Sequence, residues 1–246
     1  MKAIGIIPAR FASTRFPGKP LAEIGGKTMI RRVYEQASSC PGLMAVFVAT
    51  DHQAIAEHVM GFGGIPVITS ALHHSGTERC AEALQLLLNE KTISAPDVVV
   101  NIQGDEPFIQ PDAISELIEC FTSPEVKIAT LVRRIMIEEE IADPNVVKVV
   151  LNHAGLVSYF SRAAVPFCRS HGTGIQPVYF KHIGIYAFLG DILPELVRLP
   201  VAPAEIAEAL EQLRWLYHGY PVTAKVTEYE SISVDTPADL LKITNK

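Results

Sequence analysis

No two of the four cysteines stand close enough to act together: Cys40, Cys80, Cys120 and Cys168 form no CxxC pair. That spacing excludes a cysteine-ligated zinc and a disulfide framework, and it suits reduced, mostly buried thiols in a cytoplasmic protein. A run of about 18 apolar residues is also missing, so no membrane-spanning helix is expected. The N-terminus enters strand-forming sequence directly, without the charged and apolar regions of a secretory leader. Positive charge is in deficit, with 21 Lys+Arg against 27 Asp+Glu and a formal charge of -6. General binding to nucleic acid or to an anionic membrane surface is therefore not expected. Low-complexity segments, long polar linkers and internal repeats are absent, and residues 1–246 read as one domain.

Two phosphate-binding fingerprints are present only as fragments. Gly25-Gly26-Lys27-Thr28 ends like a Walker A loop, but Leu21 stands where the earlier glycine is required. Gly61-Phe62-Gly63 begins like a dinucleotide fingerprint, but its third glycine position is Pro66. The first fragment is better explained as a helix start. The failure of the second disfavours a dehydrogenase.

What is present is an alternation of apolar runs and helical patterns. Strands are expected near 3–8, 45–50, 65–68 and 97–102, and helices near 28–39, 52–60, 77–89 and 111–121. This spacing implies βαβ units and a mostly parallel sheet. Further on, Val146–Leu151 and Leu156–Phe160 read as a hairpin or meander. Lys181–Phe188 alternates, putting His182, Gly184 and Tyr186 on one face that lines a cleft or lies half-exposed at an edge. Ala204–His218 reads as one helix with Ile206, Leu210, Leu213 and Tyr217 on a stripe. Val234 ends a strand, and Thr236 caps a helix with Pro237 at its first position.

The chemistry gathers at strand ends. After the first strand, Pro8-Ala9-Arg10 leads into Ser13, Thr14, Arg15, Pro17, Gly18 and Lys19, three cations on a constrained loop. Such a loop at the carboxyl end of a central strand suits a polyanion such as a nucleoside triphosphate. Ser75-Gly76-Thr77 opens a helix whose free N–H groups attract anions, and Arg79 adds a planar donor array. Adjacent His73 and His74 lack the further ligands a metal would need. The run Val98–Ile102 ends in Gln103-Gly104-Asp105-Glu106-Pro107, which delivers two carboxylates and an amide to the same sheet edge. Carboxylates facing a triphosphate require a hard cation between them, and Mg²⁺ fits. Asp235 is either a second metal ligand or a turn residue, and Glu211 and Gln212 either reach a polyhydroxyl ligand or are ordinary helix surface.

Taken in order, Pro8-Ala9-Arg10 with Ser13, Arg15 and Lys19, Ser75–Arg79, Gln103–Pro107, Tyr159-Phe160-Ser161-Arg162, Lys181–Tyr186, Leu210–Arg214 and Val234–Pro237 resemble the 3-deoxy-manno-octulosonate (Kdo) cytidylyltransferases. The likeness spans essentially the whole chain. It implies an α/β fold like that of the nucleotide-diphospho-sugar transferases, Rossmann-like and three-layered, with a mixed, mostly parallel sheet and a small antiparallel dimerisation region. It implies an enzyme that uses CTP, Kdo and Mg²⁺, forms CMP-Kdo and pyrophosphate for lipopolysaccharide synthesis, and works as a homodimer. By the same resemblance Arg10, Lys19 and Asp105 are catalytic, Asp105 and Asp235 hold the metal, and Ala9, Ser13, Arg15, Ser75, Thr77, Arg79 and Gln103 contact the nucleotide. Arg162, His182, Tyr186, Glu211 and Gln212 then face the acid sugar. Rival expectations are a cytidylyltransferase for another acid sugar (8-amino-Kdo or a nonulosonate) and a CTP-binding module without catalysis.

Overall fold

β1 (Ala3–Ala9) is apolar on both faces: Ala3, Ile7 and Ala9 enter one buried cluster, Ile4 and Ile6 another. A strand of that kind is stable only with cover on both sides. In the computed structural model, which describes residues 1–12, 16–169 and 177–244, β1 lies centrally. β4 (Leu43–Thr50) and β6 (Val98–Asn101) flank it in parallel, and β5 (Pro66–Ile68) continues beyond β4. A two-residue-turn hairpin, β2 (Glu23–Ile24) and β3 (Lys27–Thr28), precedes the first helix. Gly25 and Gly26 both have positive φ there, so the Gly-Gly pair is a hairpin turn first and a helix start only after Thr28.

The other half of the sheet is mixed. β10 (Phe180–Leu189) runs antiparallel between β6 and β7 (Ile128–Arg134), and β11 (Val222–Val226) lies parallel outside β7. β8 (Lys148–Leu151) and β9 (Val157–Ser161) form the expected hairpin, and β8 pairs with the start of β10. β7 and β11 were not anticipated. The segment at Val234, expected as a strand end, lies outside the ladders and meets the β6 loop instead.

Helices α1 (Met29–Ser38), α2 (Gln53–Gly61) and α4 (Pro111–Glu119) cover one face through Ile30, Val33, Ile55, Val59, Ile114 and Leu117. The other face carries α3 (Gly76–Asn89), α6 (Leu193–Leu196) and α8 (Gln212–Tyr217), seated by Leu84, Leu87, Leu193, Leu213 and Trp215. α5 (Glu138–Ala142) and α7 (Pro203–Glu208) are short and bury no residue, and α9 (Pro237–Thr244) closes the chain. Helix, sheet and helix make a three-layer α/β fold. Among the described residues no helix is long and apolar enough to cross a membrane.

The single helix expected over 204–218 is two. Ala209 adopts a left-handed φ of 50° between α7 and α8. Ile206 and Tyr217 consequently point to solvent while Leu210 and Leu213 are buried. At the break the Glu208 carboxylate accepts from the Ser161 hydroxyl at the end of β9 and from the Arg162 N–H just after it, and the Arg162 guanidinium bonds the Glu208 and Ala209 carbonyls.

Candidate active site

β1 and β6 end side by side, and their outgoing loops form two walls of a cavity. Pro8, Ala9 and Arg10 supply one, Gln103, Gly104 and Asp105 the other. His73, His74, Ser75, Gly76 and Arg79 enter from the start of α3, and Lys19, Pro20 and Asp235 complete the lining. The walls approach so closely that a Cβ on Gly104 would lie 2.8 Å from the Pro8 carbonyl oxygen. Glycine at 104 is therefore a packing requirement.

Charge is concentrated on one side. The Lys19 ammonium lies 2.7 Å from Asp105 Oδ2 and 3.4 Å from Asp235 Oδ1. Two carboxylates from chain segments far apart thus converge on one cationic nitrogen. The backbone contributes as well, since the Val234 N–H donates to the Asp105 carbonyl at 2.9 Å. Arg10 is exposed at the cavity.

On the other side, Ser75 caps α3 by accepting from the Glu78 N–H at 3.1 Å. Its hydroxyl proton goes to Glu211 Oε1 at 2.7 Å, and the Thr77 hydroxyl donates to Glu211 Oε2 at 2.6 Å. A carboxylate at a helix N-terminus interacts favourably with the helix dipole. Burial pushes the Glu211 carboxyl above the usual range, and the two hydroxyl bonds partly offset that rise. Arg79 is buried, with its guanidinium bonded to Thr69 Oγ1, the Ser70 carbonyl and Asp51 Oδ2. These bonds fix its place in the lining of the cavity.

The family model described as cytidylyltransferase matches residues 4–232. The chain belongs to the cytidylyltransferase family. It is 47% identical to the 3-deoxy-manno-octulosonate cytidylyltransferase of Cytophaga hutchinsonii, over 98% of this chain and 96% of that one. The enzyme of the same name from Parabacteroides distasonis is 49% identical, again over 98% and 96%. Among solved structures, CMP:2-keto-3-deoxy-manno-octonic acid synthetase complexed with CTP superposes with a TM-score of 0.90 at 38% identity, covering 100% of this chain and 98% of that one.

Of the residues expected to matter in this cytidylyltransferase, Ala9, Arg10, Lys19, Ser75, Arg79, Gln103, Asp105 and Asp235 line the cavity together. Thr77 is buried beneath the lining and joined to it through Glu211. Ser13 and Arg15 lie outside the described residues. The expected sugar-facing residues Arg162, His182, Tyr186, Glu211 and Gln212 are not in the lining of this cavity. His182 and Tyr186 neighbour each other on β10, with ring centroids 5.1 Å apart, between Phe160 and Trp215. The Thr130 hydroxyl gives its proton to the Ile185 carbonyl, so it accepts from His182 Nε2–H at 3.0 Å. Burial drives the His182 imidazole down to about 3 and the Tyr186 phenol well above its ordinary value. Gln212 is buried at the start of α8. Arg162 is spread over three backbone carbonyls, those of Pro144, Glu208 and Ala209.

Glu106 requires a correction. Expected at the sheet edge beside Asp105, it is buried and turned inward, and burial raises its carboxyl above the usual range. Pro8 and Gly76 belong to the two stretches expected at the nucleotide, whereas Pro20, Gly104 and both histidines were missed as cavity residues. Gly104 carried a signal: a glycine at a strand-end crest marks a place where backbones approach closely.

Proposed function

We infer that this cytidylyltransferase moves the CMP group of CTP onto the anomeric hydroxyl of Kdo, releasing pyrophosphate and supplying CMP-Kdo for lipopolysaccharide synthesis. The observation that carries the reading is the convergence of Lys19, Asp105 and Asp235 in a cavity shared with Arg10 at the crest of β1 and β6. It stands beside near full-length identity of 47–49% to enzymes of that name. The reaction is an in-line displacement. The sugar hydroxyl oxygen forms a bond to the α-phosphorus while the bond to the β-phosphate oxygen breaks.

Little covalent work falls to the protein, and positioning and charge stabilisation dominate. We assign Arg10 and Lys19 to the triphosphate, where they offset charge growing on the departing pyrophosphate. The start of α3 and Gln103 hold the nucleotide, with Arg79 bracing the turn that carries Ser75. Arg162, His182, Tyr186, Glu211 and Gln212 are assigned to the acid sugar. Glu211 would join the two halves, because it already grips Ser75 and Thr77 at the nucleotide wall.

The donor set fits magnesium. Asp105 and Asp235 already share one cation, and Mg²⁺ takes one or two carboxylates while keeping its other positions for phosphate oxygens and water. Among the described residues no cluster of three or more His, Cys, Asp or Glu offers an all-protein cage. When bound, the ion neutralises phosphate charge and orients the reacting groups. The proposal extends to a single catalytic domain over 1–246, a cytoplasmic location and a homodimer.

The direct test incubates purified protein with CTP, Kdo and Mg²⁺ and follows pyrophosphate. Release that requires Kdo, and fails with the other triphosphates, is the expected result. Turnover only with 8-amino-Kdo or a nonulosonate would reassign the sugar. CTP binding without release on any acid sugar would leave a binding module.

A further inference from the structure

Asp105 faces the cavity, and its neighbour Glu106 faces the interior with only 4% exposure. Both oxygens of Glu106 are engaged by one remote segment. The Ser231 hydroxyl donates to Oε1 at 2.7 Å and the Tyr229 hydroxyl to Oε2 at 3.1 Å. Tyr229 is itself buried, and its N–H donates to the Thr227 hydroxyl.

Residues 227–235 follow β11 and belong to no strand of the sheet. Their course toward Asp235 is set by side-chain bonds to Glu106 and by the Val234 N–H on the Asp105 carbonyl. The two carboxylates of the cavity therefore sit on two backbones tied together through Glu106. Hydroxyl bonds to an ionised carboxylate are roughly twice as strong as bonds between neutral groups, and the Ser231 bond has the short length of that class. Burial removes the competing water.

We infer that Glu106 is a positioning residue whose grip on Tyr229 and Ser231 sets the separation of Asp105 and Asp235, and with it the affinity of that pair for a divalent cation. The inference rests on the reading of Asp105 and Asp235 as the magnesium ligands. Partners that orient metal ligands are typically worth about 10–100-fold in metal affinity.

The test uses the full chain with CTP bound and Mn²⁺ as a spectroscopic probe, free Mn²⁺ being counted by electron paramagnetic resonance. The Tyr229→Phe, Ser231→Ala double variant removes both hydroxyls without touching the cavity lining. Its Mn²⁺ dissociation constant should rise by about tenfold or more. CTP affinity in EDTA, measured by calorimetry, should stay within about twofold, because the nucleotide contacts do not depend on the clip. Ser231→Thr keeps a hydroxyl and should stay close to wild type in both measurements.

Unchanged Mn²⁺ affinity in a folded double variant would overturn the inference. So would a parallel loss of metal-free CTP affinity, which would mark general loosening. Should the double variant fail to fold, each single variant is held to about a threefold rise, half of the tenfold effect on a logarithmic scale. Asp105→Asn in the same titration tests the underlying reading separately. If it leaves Mn²⁺ affinity intact, the metal pair is misassigned, whatever the clip does.

Discussion

Lys19 and Asp105 are 86 residues apart in the chain and 2.7 Å apart at the cavity. Each is readable as a crest residue of its own loop, and only the fold shows that the two meet. Asp105→Asn keeps the size and loses the charge that a divalent cation needs. The variant should fold normally, with CMP transfer slowed by about 10²–10⁴-fold, corresponding to about 3–5 kcal/mol at 1.4 kcal/mol per tenfold. Pyrophosphate release beside a circular-dichroism melt checks both halves of that statement. His182 gives a prediction in pH. Its imidazole is held at about 3 against an ordinary 6.5, so between those values the unfolded chain binds more protons than the native one. Stability should therefore be unaffected above 6.5 and fall as pH drops below it, with a slope of at most about 1.4 kcal/mol per pH unit. Urea unfolding at pH 7 and pH 4.5 should show a smaller acid loss in His182→Gln than in wild type. An equal loss would mean that the ring is not shielded as described.

At the level of elements, the strands around β1 were readable because their evidence is local. Val98–Asn101 is an uninterrupted apolar run ending in a polar crest, and it is a central strand. β10 shows what periodicity leaves open. Its alternation correctly separates Ile183, Ile185 and Ala187 from Tyr186 and Phe188. Alternation has no direction, however, and the antiparallel placement between β6 and β7 comes from pairing with those strands. The α7–α8 break was hidden for a related reason. The contacts made at the break, from Glu208 and Ala209 to Ser161 and Arg162, are long-range, while the local spacing favours one helix. Ala209 sits there in a left-handed conformation that costs an L-residue about 1–2 kcal/mol, against about 0.5–1 kcal/mol of extra chain entropy for glycine. Ala209→Gly should accordingly raise the unfolding free energy by about 0.5–1 kcal/mol without altering turnover. A lowered denaturation midpoint would show that the side chain contributes packing that outweighs its strain.

For the whole molecule, the antiparallel region carries several of the exposed apolar side chains. Met136 and Ile137 follow β7, Tyr159 lies on β9, and Val178 precedes β10. Exposed apolar side chains at this place suit an interface between copies of the chain. Sedimentation velocity should show a dimer for wild type, shifted toward monomer by Tyr159→Glu; a wild-type monomer at micromolar concentration would remove the homodimer from the proposal.

The sequence by itself determined the layered α/β core and the edge where the chemistry lies. Two-sided apolar runs demand helices on both faces, and polar crests after such runs must surface at the strand ends. Only the tertiary structure decided which way each side chain turns at that edge. Asp105 and Glu106 are chemically alike neighbours, yet one joins Lys19 in the cavity and the other is held inward by Tyr229 and Ser231. The orientation of a loop carboxylate is set by whichever partners the fold brings to it, and these partners come from a segment more than a hundred residues away.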